Sequence, residues 1–196
     1  QCPYPCKKAR LVVQEMADLL VAGVWWDKKL KTDQLTLTIG YDIENLADPE
    51  RKRLYHGPVV TDRHGRSIPK HAHGTIHLET PTASTRLLVK AALELYDRII
   101  NAALLVRRIY ITANHVVPED AAQDEPQYQQ MDLFTDYEAE RAAGKEEAML
   151  EKEKKMQQAV LDIKKRYGKN AILKGMNLEE GSTAKSRNEQ IGGHQR

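Results

Sequence analysis

Apolar side chains recur at three- and four-residue steps over residues 7–24, through Ala9, Val12, Val13, Met16, Leu19, Leu20 and Gly23. The spacing predicts an amphipathic helix whose stripe needs a sheet or a second helix to cover it. The period then drops to two. Over residues 33–42, Leu35, Leu37 and Ile39 alternate with Gln34, Thr36 and Thr38, the pattern of a strand buried on one face. The same alternation predicts a strand over residues 74–80, with Ile76 and Leu78 inward, and another over residues 106–116. In the latter, Ile109, Ile111 and Ala113 oppose Arg108, Tyr110, Thr112 and Asn114. Between these two strands, Thr82, Ser84 or Thr85 can cap a helix whose stripe is Leu88, Ala91, Ala92, Leu95 and Ile99. Residues 45–70 hold Pro49, Gly57, Pro58, Gly65 and Pro69; they predict a long excursion with a short helix near residues 49–55 and room for another strand.

The predicted order of helix, strand, strand, helix, strand points to an α+β layer with helices on one sheet face and a polar face left open. That open face is the expected functional surface. After Pro118 the pattern breaks: residues 119–129 are acidic and glutamine-rich, with Pro126 and little apolar content, as in a flexible linker. Met131, Leu133 and Phe134 then crowd three large apolar side chains into a segment with no core to join, which suits insertion into a partner's pocket. A further helix is expected over residues 145–167, with a narrow row of Met149, Met156, Val160, Ile163 and Tyr167 that could dock, dimerise or stay in solvent. Gly168 supplies its stop, and the remainder is expected to be mostly irregular.

Charge sharpens this division. Residues 1–118 hold 17 Lys or Arg against 12 Asp or Glu, residues 119–140 hold none against 8, and residues 141–196 hold 13 against 8. A basic body, an acidic link and a basic tail can meet different partners. No apolar run approaches the roughly 18 residues of a membrane span, so no membrane role is expected. Cys2 and Cys6, the only cysteines, are too few for a disulfide scaffold or a zinc site. Trp25 and Trp26 are expected as core or hinge packing. Gln1 stands where a methionine would begin a complete chain, so a piece of a longer protein is expected.

The ordered segments KARLVVQEMADLL, TDQLTLTIGYD, HAHGTIHL, STRLLVKAALELYDRI and LVRRIYITANHV resemble the successive elements of the little finger, the C-terminal domain of bacterial Y-family translesion DNA polymerases of the UmuC/ImpB/MucB type. QMDLF resembles that family's sliding-clamp-binding motif, and YGKN with NLEEGSTAKSRNEQIGGH resembles the tail of a Firmicutes subgroup. The resemblance implies an α+β fold with a mixed four-stranded β-sheet, two helices packed on one face, and an extended or helical C-terminal tail. It divides the chain into a DNA-binding domain over residues 1–118, an acidic linker with the clamp motif over 119–140, and a charged tail over 141–196. Catalysis and its magnesium ions would belong to a palm domain that this chain lacks, so no cofactor and no catalytic residue are expected in it. The implied partners are the primer-template backbone, the β sliding clamp and the polymerase's own palm, fingers and thumb, in the cytoplasm at the nucleoid.

By the same resemblance Arg107 and Arg108 begin the last strand and face DNA, Arg108 foremost because alternation puts it on the open face with Thr112 and Asn114. Arg107 must then reach around from the other face or contact DNA at the strand end. Thr36, Thr38, Arg66, Lys70, His71 and His73 are expected to extend a phosphate-binding surface, since cations attract phosphate and hydroxyls position it without reading bases. In the motif, Gln130 would anchor, Met131 replaces the commoner leucine, Asp132 follows, and Leu133 with Phe134 would fill the clamp pocket. Asp42 with Glu44, and His71 with His73 and His77, are expected in turn and edge roles and not as metal ligands. The alternative is a noncatalytic nucleic-acid-binding or protein-interaction scaffold using the same open sheet.

Overall fold

The computed structural model describes residues 3–21, 29–119 and 137–189, and of residues 137–143, 146 and 147 the backbone alone. Cys2, Gly23, Trp25 and Trp26 lie outside the described residues. The elements are α1 (Cys6–Leu20), β1 (Leu30–Tyr41), α2 (Glu44–Ala47), α3 (Pro49–Leu54), β2 (Val59–Thr61), β3 (Ser67–Pro69), β4 (Ala72–Thr82), α4 (Thr85–Ile99), β5 (Val106–Asn114), β6 (Val117–Pro118), α5 (Tyr137–Tyr167), a 3₁₀ turn (Gly175–Leu178) and α6 (Ala184–Asn188).

Strand β1 is the centre of the main sheet, with β4 on one side and β5 on the other, while β6 pairs with the start of β1. The α+β class holds, and all these pairings are antiparallel. The parallel component of the expected mixed sheet exists only between β4 and β5, which both oppose β1 and do not pair, because α4 carries the chain from one edge past β1 to the other. The strand expected in the excursion forms, with its neighbour, a separate two-stranded ribbon, β2–β3. The fourth strand of the main sheet is β6 instead.

Leu35, Leu37 and Ile39 of β1 are at most 1 % exposed and meet Ala9, Val13 and Ala17 of α1 and Leu88, Ala91, Ala92 and Leu95 of α4. Alanines at these places let both helices settle close to the strands. Gly74 extends this: a Cβ there would fall 2.9 Å from Ile99 Cγ2 and 3.0 Å from Leu95 Cδ1, so only glycine admits α4 at this distance from β4. The helices are tied to each other by Arg10 on Asp97 at 2.8 Å and by the Tyr96 hydroxyl donating to the Cys6 carbonyl at 2.9 Å.

Residues beyond the linker do not trail away from this body. Ser84 caps α4 and its hydroxyl donates to Glu153 of α5 at 2.6 Å, while the Arg86 N–H donates to the same carboxylate at 3.0 Å. Gln157 reaches the Thr85 hydroxyl. A carboxylate at a helix N-terminus meets both unpaired N–H groups and the positive end of the dipole. The contact of α5 with the start of α4 is therefore polar; of its apolar row, Met149 and Met156 line a cleft of about 980 Å³ shared with α1 and α4, and Met149, Met156 and Tyr167 are all more than half exposed.

The segment after Gly168, expected to be irregular, is also ordered against α1. Its receptor is Glu15, which is 0 % exposed. The Glu15 carboxylate accepts from Ser182 Oγ at 2.5 Å, Thr183 N at 2.9 Å, Thr183 Oγ1 at 3.1 Å and Asn177 Nδ2 at 3.2 Å, and Arg187 stands 3.8 Å away. Lys174 on Asp18 and Lys8 on Glu180 fix the two flanks. Burial alone pushes the Glu15 carboxyl upward, but the donors from Ser182, Thr183 and Asn177 outweigh it and hold the group below its ordinary value.

Leu37→Ala should cost about 2–5 kcal/mol, because the cavity opens in the middle of β1, between β4 and β5; urea denaturation measures it. Since the folded Glu15 is the stronger acid, its contribution to tail docking is full above the ordinary carboxyl value and disappears as pH falls through the lowered one. The Thr183 amide resonance should therefore shift from docked to free on acidification, and Glu15→Gln should abolish that step.

Candidate nucleic-acid interface

The pleat that buries Leu35, Leu37 and Ile39 turns Gln34, Thr36 and Thr38 to the opposite face, and register decides their neighbours. Thr38 lies between His73 and Tyr110, Thr36 between Thr75 and Thr112, and Gln34 between His77 and Asn114. The rows are joined. Thr38 Oγ1 is 2.9 Å from His73 Nδ1, Thr36 Oγ1 is 3.0 Å from Thr75 Oγ1, and Gln34 Nε2 is 3.2 Å from His77 Nε2. Asn114 Nδ2 donates to Thr36 Oγ1 at 2.8 Å, linking β5 to β4 through β1. His73, His77, Arg108, Tyr110 and Thr112 are exposed. Both α1 and α4 lie on the other side of the sheet.

At the end of this face the backbone departs from simple alternation. Gly40 pairs with Arg108 but Tyr41 pairs with Val106, so Arg107 is the extra residue of a β-bulge. Val106 consequently points into the core at 1 % exposure while Arg107 and Arg108 both emerge. Of the two placements expected for Arg107, the bulge gives the one at the strand end and not the one reaching around from the buried face. A Cβ at Gly40 would sit 3.3 Å from Arg108 Cβ, so the bare backbone leaves the Arg108 stem its room. Asn45, 0 % exposed, holds the bulge from below: its amide donates to the Asp42 and Leu105 carbonyls at 2.9 Å each and its oxygen accepts from Leu105 N at 2.8 Å. Asp42, 5 % exposed, accepts from the Glu44 N–H at 2.9 Å and stands 3.5 Å from Arg107 Nη1. Its carboxylate thus serves a turn and orients a guanidinium.

A cleft of about 560 Å³ opens at this end, walled by Arg107, Arg108, Tyr110 and Thr38 on the sheet and by Arg66 and His71 from the excursion. Arg66 is turned into its own ribbon, where it grips Asp62 at 2.7 and 2.9 Å. The Arg66 guanidinium and the Arg66 and His64 N–H groups hold the Asp62 carboxyl down to about 2. The charge of Arg66 is therefore shared with Asp62 before any ligand arrives. Lys70 is exposed, with its N–H on the Pro58 carbonyl at 2.9 Å.

The structure thus brings Thr36, Thr38, His73, Arg107, Arg108, Thr112 and Asn114 onto one connected surface and puts Arg66, Lys70 and His71 along its rim. Sequence reasoning passed over Gln34, Thr75, His77 and Tyr110 as site residues, although alternation already placed them outward; their cross-strand pairing was the missing information. Nothing local to Asn45 announced its hold on Leu105, which is 60 residues away. Gln130, Met131, Asp132, Leu133 and Phe134 lie outside the described residues. Among the described residues no three His, Cys, Asp or Glu side chains gather as a metal site would require, and no helix is long and apolar enough to cross a membrane.

Chemically, the surface offers hydroxyl, imidazole and amide groups between strands with guanidinium groups at one end. Such a set can meet an anionic, repeating backbone by position and charge. Residues 7–126 match the family model described as the impB/mucB/samB family C-terminal domain. A comparison with curated proteins gives no match.

Proposed function

The chain belongs to the impB/mucB/samB family, whose C-terminal domain it contains, and on that premise we propose that it is the DNA-holding little finger and clamp tether of an error-prone translesion DNA polymerase. Nucleotidyl transfer, with its magnesium ions, is assigned to a palm domain outside this chain, and residues 1–118 to the DNA grip. The observation that carries the reading is the three-row polar face between β4 and β5, open to solvent and ending in Arg107 and Arg108. Phosphates are met by the arginines and placed by Thr36, Thr38, Thr112 and Asn114. Contacts to phosphate carry no base information, so the binding is indifferent to sequence.

The linker, residues 119–140, supplies the second hold. Gln130, Leu133 and Phe134 enter the groove of the β sliding clamp, with Met131 and Asp132 between them, and this keeps a weakly binding DNA module near its substrate by effective concentration. The cytoplasm, at the nucleoid, is the compartment this activity requires.

Arg108→Ala should weaken binding to a primer-template duplex several-fold and reduce the slope of log K against log salt by about 0.9, as loss of one phosphate contact does; fluorescence anisotropy over a salt series reads both. An unchanged slope removes Arg108 from the interface. Replacing Leu133 and Phe134 together by alanine should weaken clamp binding at least ~30-fold, given that a buried apolar anchor is commonly worth 2 kcal/mol or more. Circular dichroism should be unchanged, and calorimetric titration with the clamp decides the matter.

A further inference from the structure

Beside β5, on the side away from the polar rows, lies a second cleft of about 330 Å³ to which two distant parts of the chain contribute. Arg107, Arg108 and Tyr110 wall it from the strand, and Thr183 and Arg187 wall it from the docked tail. Val12 and Met16 of α1 line it as well. Three arginines, Tyr110 and Thr183 thus border one space, together with Tyr4, Val106 and Ile109, and it is roomy enough for a phosphodiester group. Their acidic partners stand behind them: Asp42 is 3.5 Å from Arg107 and Glu15 is 3.8 Å from Arg187, and neither carboxylate lines the cleft.

A guanidinium has five N–H donors in a planar fork, so an arginine held by one acid still presents donors to a phosphate. The acids also fix the forks in place, which reduces the entropy lost on binding. Arg187 is held by Thr183 as well as by Glu15. The arrangement exists only while the tail is docked, because Glu15 is the atom set on which Ser182, Thr183 and Arg187 all close.

We infer that the docked tail completes a phosphate subsite at the edge of β5, in which Arg187 supplies a cation that the sheet domain lacks. Nucleic acid lying on the open face then continues around the β5 edge onto the tail. This inference rests on the nucleic-acid reading of the open face and adds to it a contact from outside the 7–126 family match.

The test compares the whole chain with its Arg187→Gln, Arg187→Lys and Arg108→Ala variants, using a fluorescent primer-template duplex across a salt series, with hydrogen exchange at the Thr183 amide reporting tail docking. Arg187→Gln should bind several-fold more weakly, with the salt slope lower by about 0.9, whereas Arg187→Lys should keep the parental slope. An Arg187→Gln slope equal to the parent's overturns the inference whether or not the tail remains docked, since an undocked tail dismantles the cleft too. Equal losses in the glutamine and lysine variants also overturn it, by showing that the residue's shape in the tail matters and its charge does not. Should the parent chain bind no DNA, the reading of the open face fails; should Arg108→Ala weaken binding while Arg187→Gln does not, only the subsite fails.

Discussion

The polar face proposed to meet nucleic acid is placed by the pairing of β1 with two antiparallel neighbours. Because side chains alternate with a period of two, burying Leu35, Leu37 and Ile39 against α1 and α4 forces Gln34, Thr36 and Thr38 to the other side. The same register lines up His73, Thr75 and His77 from one edge and Tyr110, Thr112 and Asn114 from the other. A slip of one residue would bury the hydroxyls and expose the leucines, so the apolar core and the polar surface are two consequences of one constraint.

The functional end of that surface depends on where alternation is broken. Without the bulge at Arg107, either Val106 or Arg108 would lie on the wrong face. Buried Asn45 stabilises the backbone beside the bulge by accepting from the Leu105 N–H and adding a second donor to the Asp42 and Leu105 carbonyls. Two acids, Asp42 and Glu15, then stand behind arginines at the strand and in the tail. Each is nearly or wholly buried, and each places a cation as well as carrying its own hydrogen bonds.

Much of the fold was legible because it is written in local periods: the leucine–threonine alternation of β1, the alanine-rich stripe of α4 after Ser84, and the proline-broken excursion. What the sequence left hidden is non-local. Arg107 could not be oriented, since a bulge is a property of two strands and not of one. The pairing of Arg66 with Asp62, four residues earlier, was hidden because the two become neighbours only when the ribbon closes. The tail was read as irregular because Glu15 looks like a solvent-facing helix residue until Ser182 and Thr183, more than 160 positions later, fold onto it. For α5, the row of apolar residues left docking, dimerisation and solvent open, and the contact that forms is a polar one, because the N-terminus of α4 needs hydrogen-bond acceptors and Glu153 supplies them.

The central claim, that the water-facing side of the β4-β1-β5 sheet is what grips nucleic acid, is tested most directly by nuclear magnetic resonance of side-chain groups during titration with a primer-template duplex. The account predicts that signals of Thr36, Thr38, Tyr110, Thr112 and Arg108 move with increasing duplex and return on adding salt, while core methyls of Leu88 and Leu95 stay fixed. Movement confined to the helical side, with the threonines of β1 unaffected, would contradict it.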